Sequence, residues 1–310
     1  MELLSRWNLS DACGSDILKF TKKICRDDVN LPTSVKQGRQ LLDQIVVPHI
    51  SFKKAPIMMY EQKTYYLYYR PIFDVIKELL SNKDIFGHCT FTFTPLNYNG
   101  ERIYCEQYSG QWWERVHKSL PNNAKVLSII LYSDATTCDR LGKTSEHLIY
   151  LTLGNIVSWC RNKPDAKILL GYLPRLNATT ISQKRSKSFQ LAKRVLYQYA
   201  LDILTRPLLD YKNDGFNLQT DRVELWCYPF ISVMLGDLPE NAAVTLTYNS
   251  VNCKRPCHKC LVEGEKLNDV ELTNDQIILR TPDNINYLLE QGNTQEYSLH
   301  DMKNIFWNYP

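Results

Sequence analysis

No stretch of this 310-residue chain approaches the ~20 consecutive apolar residues that a membrane-crossing helix needs. Residues Met1 to Ser10 also lack the apolar run of a secretory signal. A membrane protein and a signal-led secreted protein are therefore not expected. The 12 glycines include no phosphate-cradling loop, and the six histidines are scattered without a local Ser-His-Asp motif. Neither a P-loop nucleotide enzyme nor a triad hydrolase is indicated, and no small-molecule substrate is expected. Ten cysteines are too dilute for a disulfide scaffold, which implies an intracellular, thiol-reducing compartment. Charge of one sign is in short supply too. The net +4 and pI near 8.4 permit nucleic-acid binding without demanding it.

What the chain has in plenty is tyrosine, 19 against 10 phenylalanines. Tyrosine joins a stacking face to a polar tip and suits wet, half-buried surfaces, of which base stacking is one use. A length of 310 residues is enough to bury a sizeable core, and 44% hydrophobic with 23% charged residues is ordinary for a folded domain.

Three regions follow one another. Up to about Lys54 the pattern is polar and weakly helical, with Leu41, Leu42, Ile45 and Val46 on one face closed by Pro48. A Tyr-rich strand, Tyr65 to Tyr69, leads to a helix over 72–80 with Ile72, Val75, Ile76 and Leu79 at core spacing. Cys89, Phe91 and Phe93 alternate with threonines as in a strand, 101–108 suggests another, and 111–118 reads as a short helix carrying Trp112 and Trp113.

Val126 to Tyr132 is then an almost unbroken apolar run, as in a strand buried on both faces. Segments 148–153 and 167–173 are the next two strands. A long helix opens at Ser182 and stops at Arg206-Pro207. Its apolar face is Ala192, Val195, Leu196, Tyr199, Ile203 and Leu204, and its polar face is Gln183, Lys187, Gln190, Arg194 and Gln198. On this reading Val195, Tyr199 and Ile203 meet the sheet while Lys187 and Arg194 stay in water. A further strand over 224–235 ends just before Asp237.

Strands, a crossover helix and acids at strand ends suggest an α/β nuclease. Open α/β sheets put their chemistry at the strand tips. Asp134 and Asp237 each lie two residues beyond an apolar strand. On adjacent parallel strands their carboxylates would project from one edge, near enough to share metals ~4 Å apart. Carboxylate oxygens suit Mg²⁺, a hard cation. The same residues also suit caps, since Asp237-Leu238-Pro239-Glu240 is a good helix start.

Cys257 and Cys260 in Cys257-His258-Lys259-Cys260 have the bite of a zinc knuckle, with Cys253 as a third candidate ligand. A structural site needs four donors, and no second ligand pair appears. A redox pair and unligated thiols remain the alternatives. Lys184, Arg185 and Lys187, with Arg194, suit DNA phosphates, a nuclear-import signal or simply a solvated helix face. Of Trp112 and Trp113, one is expected in the core.

Ser133-Asp134-Ala135-Thr136-Thr137, the run Ile149 to Ile156, Gly171 to Pro174, Tyr228-Pro229, Gly236 to Glu240 and Cys257-x-x-Cys260-Leu261 occur in one order. With Arg102-Ile103-Tyr104 and the helix after Pro71, they resemble the Plavaka transposases, relatives of the CACTA group found in fungal elements. The resemblance covers roughly Val46 to Val262. It implies an RNase H-like catalytic domain that cuts and joins DNA with divalent metal, Mg²⁺ or Mn²⁺, with Asp134 and Asp237 as first and second acids. It also implies Zn²⁺ at the cysteines, DNA at the element's ends as partner, self-association, and a nuclear location.

Departures from the family pattern shape the expectation. The third acid and its histidine-containing segment follow a stretch like Phe306-Trp307, close to where this sequence stops, and Glu263, Glu265, Glu271 and Glu290 sit in no matching block. The expected fold is α/β, an RNase H-like mixed sheet with flanking helices, incomplete, after a mixed α+β N-terminal region. The expected domains are 1–120, a core at 121–262 with the knuckle, and 263–310 as a truncated tail or the start of an insertion. Two functions fit: a metal-dependent strand-transfer domain inactive by itself, or a non-catalytic, zinc-stabilised DNA- or protein-binding remnant.

Overall fold

The computed structural model describes residues 9–26, 29, 31–44, 51–137, 145–219, 224–248 and 252–309. It divides into two units, Met1–Ser51 and Phe52–Pro310. In the first, helices α1 (Asp11–Ile24) and α2 (Val35–Asp43) are each opened by a serine, Ser10 and Ser34, whose hydroxyl accepts a backbone N–H of the first turn. Arg39 pairs with Asp11 through both guanidinium nitrogens, at 2.6 and 3.0 Å. Leu41 and Leu42 are exposed, while Ile45, Val46 and Pro48 lie outside the described residues.

The second unit is built on a seven-stranded mixed sheet in the order β1-β2-β7-β6-β5-β9-β8. The strands are β1 (Lys53–Tyr60), β2 (Lys63–Tyr69), β5 (Lys125–Thr137), β6 (Ser145–Leu153), β7 (Ile168–Leu173), β8 (Phe216–Gln219) and β9 (Glu224–Leu235). β6 runs antiparallel to both its neighbours, β5 and β7, and β9 joins β5 in parallel. This order is compatible with an RNase H-like arrangement. β5 owes its interior place to its composition, because Val126, Leu127, Ile129 and Leu131 are all fully buried. The Tyr-rich strand is β2, and it pairs with β7. β1 and β2 belong to the same sheet as β5.

Helix α3 (Ile72–Ser81) buries Ile72, Val75, Ile76 and Leu79, as its spacing predicts, and the short α4 (Lys83–Phe86) follows it. β3 (Leu96–Tyr98) and β4 (Glu101–Ile103) form a separate hairpin. Its turn residues Asn99 and Gly100 both take positive φ, 51° and 85°, as a two-residue hairpin turn requires. The strand expected over 101–108 is thus three residues long. Helix α5 (Gln111–Ser119) buries Trp113 completely, and Trp112 stands against Phe230 at 6.2 Å.

Two expectations need correction. The alternation at Cys89, Phe91 and Phe93 forms no strand. Its backbone is engaged by Asn155, whose carbonyl accepts from Thr90 N–H at 2.8 Å and whose amide donates to Thr90 O at 3.0 Å. Beyond the short α6 (Ser158–Arg161), the helix expected from Ser182 is two helices, α7 (Ile181–Arg185) and α8 (Lys187–Thr205), split at Ser186, which is extended and caps α8.

The buried side of α8 is also rotated from the expected one. Phe189, Leu196, Ala200, Leu201 and Leu204 are buried, whereas Val195 and Tyr199 are 37% and 43% exposed. Gln198, assigned to the polar face, is buried because its side chain donates to Ala243 O and Val244 O at 3.2 and 3.0 Å and accepts from Ile305 N–H at 3.3 Å. Residues 263–309 are a folded part of the unit. Helix α10 (Pro282–Glu290) packs Ile285 and Leu288 with Leu299, and Ile305, Phe306 and Tyr309 pack on the main core.

Candidate active site at the sheet edge

Across the parallel pair, Tyr132 of β5 faces Leu235 of β9. Asp237 follows two residues later, just past the end of β9. Asp134, expected beyond its strand, lies within β5 and pairs with Leu148 of β6, past the last residue that β5 pairs with β9. β5 lies between β6 and β9. Side chains alternate along β5, so Ser133 is buried and Asp134 exposed. The Tyr132 hydroxyl donates to Asp134 Oδ2 at 3.0 Å. Tyr132 is held above the ordinary phenol value, chiefly by that bond, then by burial and by the negative charges of Asp134 and Asp237. One phenol thus senses both carboxylates.

Asp237 also caps helix α9 (Leu238–Thr245), its Oδ1 accepting the Glu240 N–H at 2.8 Å. The capping role read from the sequence is realised. It leaves the acid reading standing, because an ionised carboxylate offers about four lone-pair sites. The donors at this edge are hard oxygens on an exposed rim, which fits a hard divalent cation. Among the described residues, no group of three His, Cys, Asp or Glu side chains is placed to hold a metal. No third acid joins the pair there.

Directly beneath the acids lies a cluster that sequence reasoning missed. Glu240 Oε1 accepts from Ser133 Oγ at 2.7 Å, lies 2.9 Å from His147 Nε2, and accepts from the Tyr197 hydroxyl. Ser133 Oγ and His147 Nε2 are 3.1 Å apart. Burial pushes the Glu240 carboxyl up, but the bonds from His147 and Tyr197, the charge of His147 and the Ser133 hydroxyl outweigh it, and the net shift is downward. Burial, followed by the charge and hydrogen bond of Glu240, pushes Tyr197 well above its ordinary value. The only local signal was Glu240 three residues after a capping aspartate. Its partners come from β5, β6 and α8 and leave no trace in neighbouring sequence.

The exposed face bearing Asp134 is lined with tyrosines. Tyr68 faces Tyr172, Tyr172 faces Leu148 and Leu148 faces Asp134 across successive strands, and Tyr150 faces Tyr132 in the next row. Tyr66 shares the face with Tyr68, and Lys54 Nζ sits 4.0 Å from the Tyr66 ring centroid. Tyr132, Tyr150, Ile130 and Leu235 line a cleft of ≈ 590 Å³ rimmed by Arg161 and Lys167.

Cys257 and Cys260 are neighbours, with the Lys259 N–H donating to Cys257 Sγ at 3.3 Å. Burial raises the Cys257 thiol, but the backbone N–H groups of Lys259 and Cys260, the Cys260 thiol and the Arg280 charge lower it further, so the net shift is downward. The Cys260 thiol is raised, mainly by burial. Arg280 staples the loop, its Nε donating to Cys257 O and Cys260 O at 2.9 and 3.1 Å and its Nη2 to Arg255 O and Tyr297 O at 3.0 Å. Burial lowers the Arg280 value, and the charges of Cys257, Cys260 and Cys253 partly offset that. Two soft donors are therefore in place, and Cys253 does not complete a metal-holding group with them.

Lys184, Arg185 and Lys187 are exposed. Helix α7 meets the turn of the β1–β2 hairpin, where Gln183 Nε2 donates to Glu61 at 2.6 Å. By the strand registers, that turn extends past β7 in the direction in which β5 runs to Asp134. Arg194 is not in water as expected. It is half-buried, its Nε has no hydrogen-bond partner among the described residues, and burial lowers its value while Tyr248 partly offsets that.

No curated protein matches the chain. The family model described as Plavaka transposase does, over residues 33–309, a longer span than the blocks from Val46 to Val262. The chain belongs to the Plavaka transposase family.

Proposed function

We propose that the edge of β5 and β9 is the metal-binding edge of a DNA cleavage and strand-transfer domain, with Asp134 and Asp237 as two of its carboxylate ligands. The observation that carries this reading is their position, two residues beyond Tyr132 and Leu235, which face each other on parallel strands. Mg²⁺ or Mn²⁺ held there would supply charge for phosphoryl transfer. The residues themselves offer hard oxygens, and Tyr132 orients the Asp134 carboxylate through its hydroxyl.

DNA is the proposed partner, in the nucleus. Lys184, Arg185 and Lys187 would meet phosphates, and the Tyr66, Tyr68, Tyr172, Tyr150 and Tyr132 face offers aromatic surface beside the acids. Arg194 stands apart from this group because it is half-buried. A Zn²⁺ ion at Cys257 and Cys260, with Cys253 near, is proposed as a structural support that needs further donors.

A second reading is a non-catalytic, zinc-stabilised DNA- or protein-binding domain. It draws on the acid pair's having no third carboxylate placed with it to hold a metal among the described residues. The 310 residues by themselves are therefore expected to bind DNA without joining strands. Mobility shifts on duplex DNA should weaken when Lys184, Arg185 and Lys187 are all changed to Ala. The slope of log affinity against log salt should fall by roughly 0.9 for each phosphate that is no longer neutralised. Unchanged binding and slope would remove these lysines and the arginine from the DNA surface. Mg²⁺-dependent strand transfer abolished by Asp134→Ala would show that the chain is catalytic unaided.

A further inference from the structure

The Glu240 cluster is more heavily bonded than a helix start needs. Asp237 already caps α9, yet Glu240 in the first turn is drawn inward to meet Ser133, His147 and Tyr197. Three partners at one carboxylate oxygen engage it beyond its usual two lone pairs, so Oε1 is committed to the protein and not offered outward. Ser133 directly precedes Asp134 in β5, and the backbone N–H of Glu240 is the group that Asp237 caps, at 2.8 Å. Both acids are therefore one short link from the same carboxylate.

Gly236 adds an independent sign that this approach is built in. A Cβ there would come within 2.7 Å of Glu240 Cγ and 2.8 Å of Glu240 Cβ, and 3.6 Å from the Ser133 carbonyl oxygen. Only a residue without a side chain lets the first turn of α9 tuck against the end of β5.

We propose that Glu240 is the positioning residue of the acid pair. It ties the ends of β5 and β6, the middle of α8 and the first turn of α9 to one point, and so fixes where Asp134 stands relative to Asp237. The proposal rests on the metal-edge reading for its consequence, and on the hydrogen bonds alone for its geometry. Its alternatives are that Glu240 is itself a ligand, or that it stabilises the fold without bearing on the acids.

Two measurements on the full chain separate these. Without metal, amide hydrogen exchange in Glu240→Ala should speed up at 133–135 and 237–241 while β1, β2 and α3 keep their protection. Unchanged protection at both acid segments would overturn the proposal, as would uniform loss throughout the sheet. With Mn²⁺ as probe, followed by electron paramagnetic resonance at millimolar concentrations, Glu240→Ala should weaken binding at least tenfold. Glu240→Gln, which keeps an acceptor oxygen for its neighbours, should stay within about threefold of the unaltered chain. Loss in Glu240→Gln equal to that in Glu240→Ala would make Glu240 a ligand or a charge donor instead. Tyr197→Phe, which keeps the ring and removes one donor, should fall between the two if Glu240→Ala folds poorly. Unaltered Mn²⁺ affinity in Asp134→Asn would defeat the metal-edge reading itself, and the exchange data would still decide whether Glu240 orders the two acid segments.

Discussion

Tyr132 and Leu235 face each other on parallel strands, and that single pairing brings Asp134 and Asp237 to one edge of the sheet. The Tyr132 hydroxyl donates to Asp134, and the charges of both aspartates contribute to raising it above the ordinary phenol value.

The interior of the sheet depends on Asn155 as much as on apolar packing. Its fully buried amide accepts from Ser128 N–H at 2.9 Å and donates to Val126 O at 2.8 Å and Thr90 O at 3.0 Å. Asn155→Ala leaves a buried N–H and carbonyls unpaired, which should cost about 2–4 kcal/mol. Urea denaturation should show the midpoint falling with an unchanged slope. A loss below about 0.5 kcal/mol would mean that water or relaxation replaces the amide.

His300 gives stability a pH dependence of known sign. Burial, followed by the charge of Arg194, lowers its value to about 4, and its ring rests 4.9 Å from Tyr248. The unfolded chain takes up the proton near the ordinary histidine value of about 6.5, before the folded chain does. The contribution is therefore present above that value and lost as pH falls from about 6.5 towards 4. Because the ring is partly exposed, the loss should be about 1–2 kcal/mol rather than the full linkage value. Thermal melts of the unaltered chain and His300→Gln should converge over that window, and a parallel fall in both would assign the acid sensitivity to other groups.

How much of this was legible depended on how local each interaction is. The apolar run of β5, the tyrosines of β2 and the spacing of α3 each announce their element within a few residues. The buried side of α8 did not, because Gln198 is buried by carbonyls of Ala243 and Val244 and by the N–H of Ile305, all remote in sequence. Cys89 to Phe93 alternates like a strand, yet Asn155 takes its backbone. Asp237 was readable as a strand-end residue, whereas Asp134, read the same way, lies inside β5, because the less apolar residues up to Thr137 still pair with β6. Glu240 was readable only as a helix-start residue, because Ser133, His147 and Tyr197 reach it from three separate elements.

The cysteine loop carries its own test. If Cys257 and Cys260 hold zinc with donors beyond those described, purified protein should contain near-stoichiometric zinc, and Cys257→Ser should lose it. Metal-free protein that stays folded with freely reactive thiols would leave Arg280 as the element that organises the loop.

Affinity cleavage by Fe²⁺ substituted for the divalent ion addresses the metal edge most directly. With ascorbate and peroxide, radicals formed at the bound iron cut the backbone beside it. The account predicts cuts at the ends of β5 and β9, next to Asp134 and Asp237, that are suppressed by excess Mg²⁺ and absent in both Asp134→Asn and Asp237→Asn. Cuts confined to the cysteine loop, or cuts at the sheet edge that persist in both variants, would contradict it.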